Sequence, residues 1–239
     1  MTEPAVPAVR VTDLSYAYPD GTWALRGVDL EVAAGERVAV LGPNGAGKST
    51  LMLHLNGVLT ATSGEVRIGG TRLERETVRA IRQRVGVVFQ DPDDQLFMPT
   101  VEQDVAFGPA NFGVRGAQLA ENVREALAAV GMSDRAGRSP AHLSLGERRR
   151  AALATVLSCR PEVLVLDEPA ANLDPVARRE LADILLALPT TLLVVTHDLP
   201  YAQRICDRVV ILDAGEIVAN GPAARILGDT ALLARHRLH

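Results

Sequence analysis

Arg37-Val38-Ala39-Val40-Leu41-Gly42-Pro43-Asn44-Gly45-Ala46-Gly47-Lys48-Ser49-Thr50 is a short apolar run that passes straight into a glycine-rich loop. From Gly42 the spacing is G-x-x-x-x-G-K-[ST], with Gly47 as the second glycine, then Lys48 and Ser49. The pattern predicts a strand over 37–41 and a helix over 48–59. A strand, a loop and a helix in this order cradle nucleotide phosphates. Backbone N–H groups wrap the phosphates, and a slim ammonium reaches the β and γ oxygens as a point charge. Lys48 is the only lysine in 239 residues, against 24 arginines. A planar guanidinium does not fit the same tunnel of amides, so the position needs lysine in particular.

The rest of the composition narrows the class. An apolar content of 47% is ample for a core, and a net charge of −4 argues against a general nucleic-acid binder. Cys159 and Cys206 share no metal or redox spacing and read as buried or free thiols in a reducing compartment. Met1-Thr2-Glu3-Pro4 is acidic and Pro-rich with no apolar run after it, so no signal peptide is expected. No apolar stretch approaches the roughly 20 residues that span a bilayer.

Working outward from the loop, Val9–Leu14 and Trp23–Val32 alternate as strands around a turn at Tyr18-Pro19-Asp20-Gly21-Thr22. Residues 65–68 and 85–89 are further strands. Helical patterns then take over: Val101–Phe107, Ala117–Val130 and Gly146–Cys159. Alternation resumes with strand 163–166, helix 176–188, strand 192–196, helix 199–206 and strands 208–212 and 216–219. This is an α/β fold with a mostly parallel sheet, helices on both faces and a helical insertion.

Four more segments carry chemistry. Val163-Leu164-Val165-Leu166-Asp167-Glu168-Pro169 is a buried strand ending in adjacent carboxylates, at the strand end where open α/β sheets bind ligands. Asp167 suits a Mg²⁺ shell together with the Ser49 hydroxyl, and Glu168 is placed to polarise an attacking water. Val194-Val195-Thr196-His197-Asp198 brings His197 to the same edge, able to donate to a γ-phosphate or hold the water. Gln90, after strand 85–89, offers a neutral amide to Mg²⁺ or water, and Asp91-Pro92-Asp93-Asp94-Gln95-Leu96-Phe97 follows it. Leu143-Ser144-Leu145-Gly146-Glu147 opens a helix, with Ser144 as N-cap and a partial positive charge at the helix start. Arg148-Arg149-Arg150 is then a solvated face or a stripe supporting the phosphate site.

These segments, in this order and spacing, resemble the ATP-binding cassette (ABC) ATPases over roughly Val9 to Leu227. The resemblance implies a P-loop NTPase, RecA-like fold with an antiparallel β subdomain at 9–35 and 60–72 and a nucleotide-binding core at 36–59, 73–99 and 155–227. A helical subdomain at 100–154 and a C-terminal helix at 228–239 complete a single 1–239 domain. It implies that Tyr18, or less favourably Tyr16, stacks on adenine. Gly42, Pro43, Asn44, Gly45, Ala46, Gly47, Lys48, Ser49 and Thr50 bind the phosphates of ATP. Ser49, Gln90 and Asp167 serve Mg²⁺, Glu168 is the general base and His197 the switch. Asn172-Leu173-Asp174 looks like the D loop that crosses a dimer interface. Ser144 and Gly146 would touch the γ-phosphate of ATP held by a second subunit, so a head-to-tail dimer with itself or a paralogue is implied.

A narrower resemblance rests on Tyr16-Ala17-Tyr18-Pro19-Asp20-Gly21, His54-Leu55-Asn56-Gly57, the acidic segment 90–97 and Asp104-Val105-Ala106-Phe107-Gly108-Pro109. These look like the energy-coupling-factor ATPases, including cobalt/nickel-uptake subunits. That implies an importer motor on the cytoplasmic face of the cell membrane, meeting integral membrane subunits near Gln90 to Phe97, with no nucleic acid. A regulatory or weakly hydrolysing cassette and a non-transport cassette ATPase remain open. The signature departs from Leu-Ser-Gly-Gly-Gln: Leu145 stands at the first glycine and Glu147 at the glutamine. Leu145 adds a side chain where backbone approaches phosphate, which is expected to weaken closure onto ATP. Ala170 stands where threonine is common.

Overall fold

The computed structural model describes residues 6–238; the N-terminal Met1–Pro4 reading and the last residue of the expected 228–239 helix lie outside it. Two sheets organise the chain. β1 (Val9–Ala17), β2 (Trp23–Val32), β4 (Ser63–Ile68) and β5 (Thr71–Arg72) form an antiparallel sheet in the order β2-β1-β4-β5. The second sheet contains β3 (Arg37–Leu41), β6 (Val85–Val88), β7 (Val163–Asp167), β8 (Thr191–Val195), β9 (Arg208–Asp213) and β10 (Glu216–Pro222). Its order is β10-β9-β3-β8-β7-β6, parallel except for the antiparallel β10 edge.

The strand periodicity sorts the large sheet between two cores. Val38, Val40, Val163, Val165, Leu193 and Val195 face the antiparallel sheet and helix α1 (Lys48–Leu55). Their neighbours Ala39, Leu41, Leu164, Leu166, Leu192 and Val194 face the other way, into the helices. Both faces of each strand are apolar, which is why these segments read as continuous hydrophobic runs. Each fully buried Val or Leu contributes roughly 1.5–3 kcal/mol.

The helical side holds α3 (Val101–Asn111), α4 (Gly116–Ala129), α5 (Leu145–Leu157), α6 (Pro175–Ala187) and α7 (Leu199–Ile205). Thr100, Ser144, Asp174 and Asp198 cap four of them through their side chains, as Ser, Thr and Asp do at helix starts.

Some expectations shift. α1 stops at Leu55 rather than residue 59, because Asn56 leaves helical geometry and Gly57 adopts φ +70°. α2 (Val78–Arg84) was not expected; it buries only Ile81 and so shows no apolar stripe. The helix expected at 228–239 is the shorter α9 (Thr230–Arg235), started by the Asp229 side chain, which accepts from Leu232 N–H; α8 (Ala223–Gly228), just before it, was not expected.

Candidate active site

The glycine loop leaves β3, flanked by β8 and β9, and enters α1. Two of its glycines are demanded by the protein itself. A Cβ at Gly42 would lie 2.1 Å from the Leu212 carbonyl oxygen, and one at Gly47 2.4 Å from that of Ala24. α1 has no side-chain cap, so its first-turn N–H groups are free for an anion. Lys48 is 8% exposed. Its Nζ donates to the carbonyls of Gly42 at 2.7 Å and Pro43 at 3.0 Å. Burial pushes its pKa down, while Glu168 and Asp167 pull it back up.

β7 and β8 are paired so that Asp167 lies opposite Val195. Asp167, Glu168, Thr196 and His197 therefore leave the sheet at one edge. Ser49 Oγ donates to Asp167 Oδ2 at 3.1 Å. Burial raises the Asp167 pKa, opposed by the Ser49 hydrogen bond and by Lys48 and Arg149. A hydroxyl beside a buried carboxylate, with the Gln90 amide lining the same cavity, is an all-oxygen donor set that fits a hard cation such as Mg²⁺.

Glu168 adopts a left-handed φ of 43°, a conformation that costs a non-glycine residue roughly 1–2 kcal/mol. Its N–H is held by the Val195 carbonyl at 2.8 Å. Both carboxylate oxygens are engaged, Oε2 by the Thr196 hydroxyl at 2.9 Å and Oε1 by His197 Nδ1 at 2.7 Å. His197 thus meets the carboxylate. Thr196 had not been singled out; its place between an apolar strand and His197 was the available signal.

Tyr18, the loop from Asn44 to Thr50, Gln90, Asp167 and Glu168 line one cavity of about 370 Å³. Trp23, read only as a strand residue, lines it too. Gly42 and Pro43 act from behind, through Lys48.

Ser144, Gly146 and Asp174 lie elsewhere. They line a separate cavity of about 480 Å³ with Leu145 and Glu147, and no residue lines both cavities. Ser144 caps α5 in a reciprocal box with Glu147: Ser144 Oγ accepts from Glu147 N–H, and Glu147 Oε2 accepts from Ser144 N–H at 2.8 Å. Arg135 adds a bond to Oε1 at 3.1 Å. The backbone bond first, and Arg135 next, hold the Glu147 pKa at about 2. Its negative charge is therefore turned toward its own helix and Arg135. Gly146 packs where a Cβ would meet that of Ala177 at 2.9 Å. Asp174 accepts from the N–H groups of Val176 and Ala177, capping α6.

The arginine triplet is no solvated face. Arg149 is 4% exposed and donates to the Ala171 carbonyl at 3.2 Å. Arg150 pairs with Glu180 and Arg148 with Asp93. Gln95 was also missed: its Nε2 donates to Ala152 O at 2.9 Å and to Thr155 Oγ1 at 2.7 Å, tying segment 90–97 to α5.

The family model described as ABC transporter matches residues 25–171. The chain belongs to the ABC transporter ATPase family. A Streptomyces coelicolor protein, named provisionally as an ABC transporter ATP-binding protein, is 59% identical to this ABC ATPase over 98% of the chain and 91% of its own length. The energy-coupling factor transporter ATP-binding protein EcfA of Methanothermobacter thermautotrophicus is 49% identical over 96% of this chain and 76% of the relative. Among solved structures, cbiO1 from Clostridium perfringens, described as part of the ABC transporter complex cbiONQ, superposes with a TM-score of 0.86 at 34% identity. That match covers 98% of this chain and 95% of the other. The dimeric ATP-binding cassette MJ0796, bound to ADP and Pi, gives 0.78 at 28% identity over 90% and 98%. The fold of this ABC ATPase is the cassette fold. Among its described residues no helix is long and apolar enough to cross a membrane.

Proposed function

We propose that this ABC ATPase is the motor of an energy-coupling-factor importer, taking up a transition-metal ion (cobalt or nickel) or a vitamin through membrane subunits on whose cytoplasmic face it sits. The observation that carries the reading is the Gln95 bridge. The segment 90–97 begins at the nucleotide cavity with Gln90, is tied to α5 by Gln95 and ends in Phe97, which is 60% exposed. A partner bearing on this segment acts on the nucleotide cavity and the signature helix together. The likeness to EcfA and to cbiO1 supports the same reading.

Lys48 and the uncapped N–H groups of α1 bind the phosphates of ATP, and Tyr18 takes the adenine. Ser49, Gln90 and Asp167 hold Mg²⁺, which when bound screens the phosphate charge. Glu168 orients water toward the γ-phosphorus and accepts its proton. For that, one carboxylate oxygen must be freed, and the exposed partner, His197, is the one able to turn to the γ-phosphate. Because Ser144 and Gly146 line a different cavity from Lys48, a second subunit, identical or paralogous, completes each site head to tail. The 100–154 segment passes the motion on.

The test is reconstitution in proteoliposomes with whichever integral membrane proteins co-purify with the chain from detergent-solubilised membranes. ATP-dependent uptake of labelled Co²⁺, Ni²⁺ or a vitamin is expected. Assembly with ribosomes or DNA in place of a membrane subunit would overturn the proposal. A second reading, a weakly hydrolysing member of a heterodimer, is favoured only by Leu145 in the signature.

A further inference from the structure

His54 lies on α1, a turn and a half beyond Lys48, with its ring 1% exposed. Its Nδ1–H donates to the Thr50 carbonyl at 2.7 Å. Thr50 is held from its other end as well: its hydroxyl is 2.9 Å from Tyr18 Oη. A second path runs through aromatic edges. The Tyr16 ring stands edge-on to Tyr18, with centroids 5.1 Å apart at 81°, and edge-on to His54 at 4.8 Å and 70°. His54, Thr50, Tyr18 and Tyr16 thus form a closed ring of contacts between the phosphate-loop helix and the cavity wall.

Packing alone does not account for the histidine. Burial pushes its pKa down, against backbone hydrogen bonding at Thr50 and Thr60, and because the Thr50 carbonyl can only accept, Nδ1 carries a proton. Nε2 is buried and makes no hydrogen bond of ordinary geometry, although the Thr60 backbone also acts on the ring. A leucine would fill similar space with no such unsatisfied atom. What leucine lacks is the Nδ1–H that fixes Thr50 and the flat edge that meets Tyr16.

We propose that His54 is a positioning residue for the adenine base: through Thr50 and Tyr16 it sets the pose of Tyr18 without touching nucleotide itself. The inference rests on the reading of Tyr18 as the adenine platform. It makes base recognition separable from phosphate recognition, although both begin on the same helix. Two routes reach Tyr18, so removing one leaves partial control.

The experiment measures KM and kcat for ATP and GTP, and calorimetric binding of ATP and of inorganic tripolyphosphate, on the full chain. His54→Leu should raise KM for ATP about threefold to tenfold, the size expected from losing aromatic edge contacts and one hydrogen bond. kcat and tripolyphosphate affinity should hold, and the preference for ATP over GTP should shrink. His54→Phe, which keeps a ring edge and loses only the Thr50 bond, should fall between. It decides the matter if His54→Leu does not fold. Parallel weakening of ATP and tripolyphosphate, or no change in either, overturns the proposal. Tyr18→Ala separates the two ideas. If it leaves ATP affinity intact, the platform reading fails; if it weakens ATP while both His54 variants do not, only the role of His54 fails.

Discussion

His197 Nδ1 lies 2.7 Å from Glu168 Oε1, so the two polar groups that follow β7 and β8 hold each other. With Thr196 on the second oxygen, the carboxylate is aimed by three contacts on one residue: two through its side chain and one through its backbone N–H. Such over-determination is what keeps a non-glycine residue in a left-handed conformation.

Glu168→Gln keeps the size of the side chain but removes the proton acceptor. Hydrolysis should fall by about 10²-fold or more, while ATP stays bound. Gel filtration with ATP and Mg²⁺ should then show a persistent dimer. Normal turnover in this variant would remove Glu168 from the role of base.

Lys48→Arg conserves charge and little else. The ammonium sits between two carbonyl oxygens at 2.7 and 3.0 Å in a nearly closed space. A planar guanidinium cannot enter without displacing the loop, whose Gly42 already touches β9. Steady-state ATPase should be lost; an active variant would contradict the fit described above.

Leu145 is the first helical residue of α5 and lines the signature cavity. Leu145→Gly clears the approach of backbone to phosphate, and turnover in the assembled transporter should rise at sub-saturating ATP. Unchanged turnover would show that the leucine is no obstacle to closure.

Glu147 ties stability to acid pH. Its carboxylate is held at about 2, below the ordinary 4.5, by Ser144 N–H and Arg135. A depressed folded-state value means the contribution is complete above about 4.5 and is lost as pH falls toward 2. Glu147→Gln should cost about 1 kcal/mol near neutrality, as a damaged cap does. Its urea midpoint should approach that of the parent as pH drops from 5 to 3. An equal gap at both pH values would mean the charge plays no part.

The large sheet was legible because buried parallel strands are short apolar runs that end in polar residues, as in Val163–Asp167 and Thr191–Val195. The phosphate loop was legible because its spacing is local. α2 escaped because its arginine-rich surface has no stripe, with Ile81 alone buried. Arg149 escaped because polarity predicts exposure, and only tertiary packing places a guanidinium 4% exposed under the 168–174 loop. Gln95 and Thr196 escaped for a related reason: their partners, Thr155 and Glu168, are distant in the chain. Ser144 was read correctly as a cap; that Glu147 completes the box and meets Arg135 depends on how α5 is approached.

A chain with one lysine has one ε-amino group, and here that group stands in the nucleotide cavity. Burial lowers its basicity, against the pull of Glu168 and Asp167. Among side-chain amines, an acylating reagent has this single target. Mass spectrometry of labelled protein would read out, at one residue and without engineering, how often that cavity stands empty.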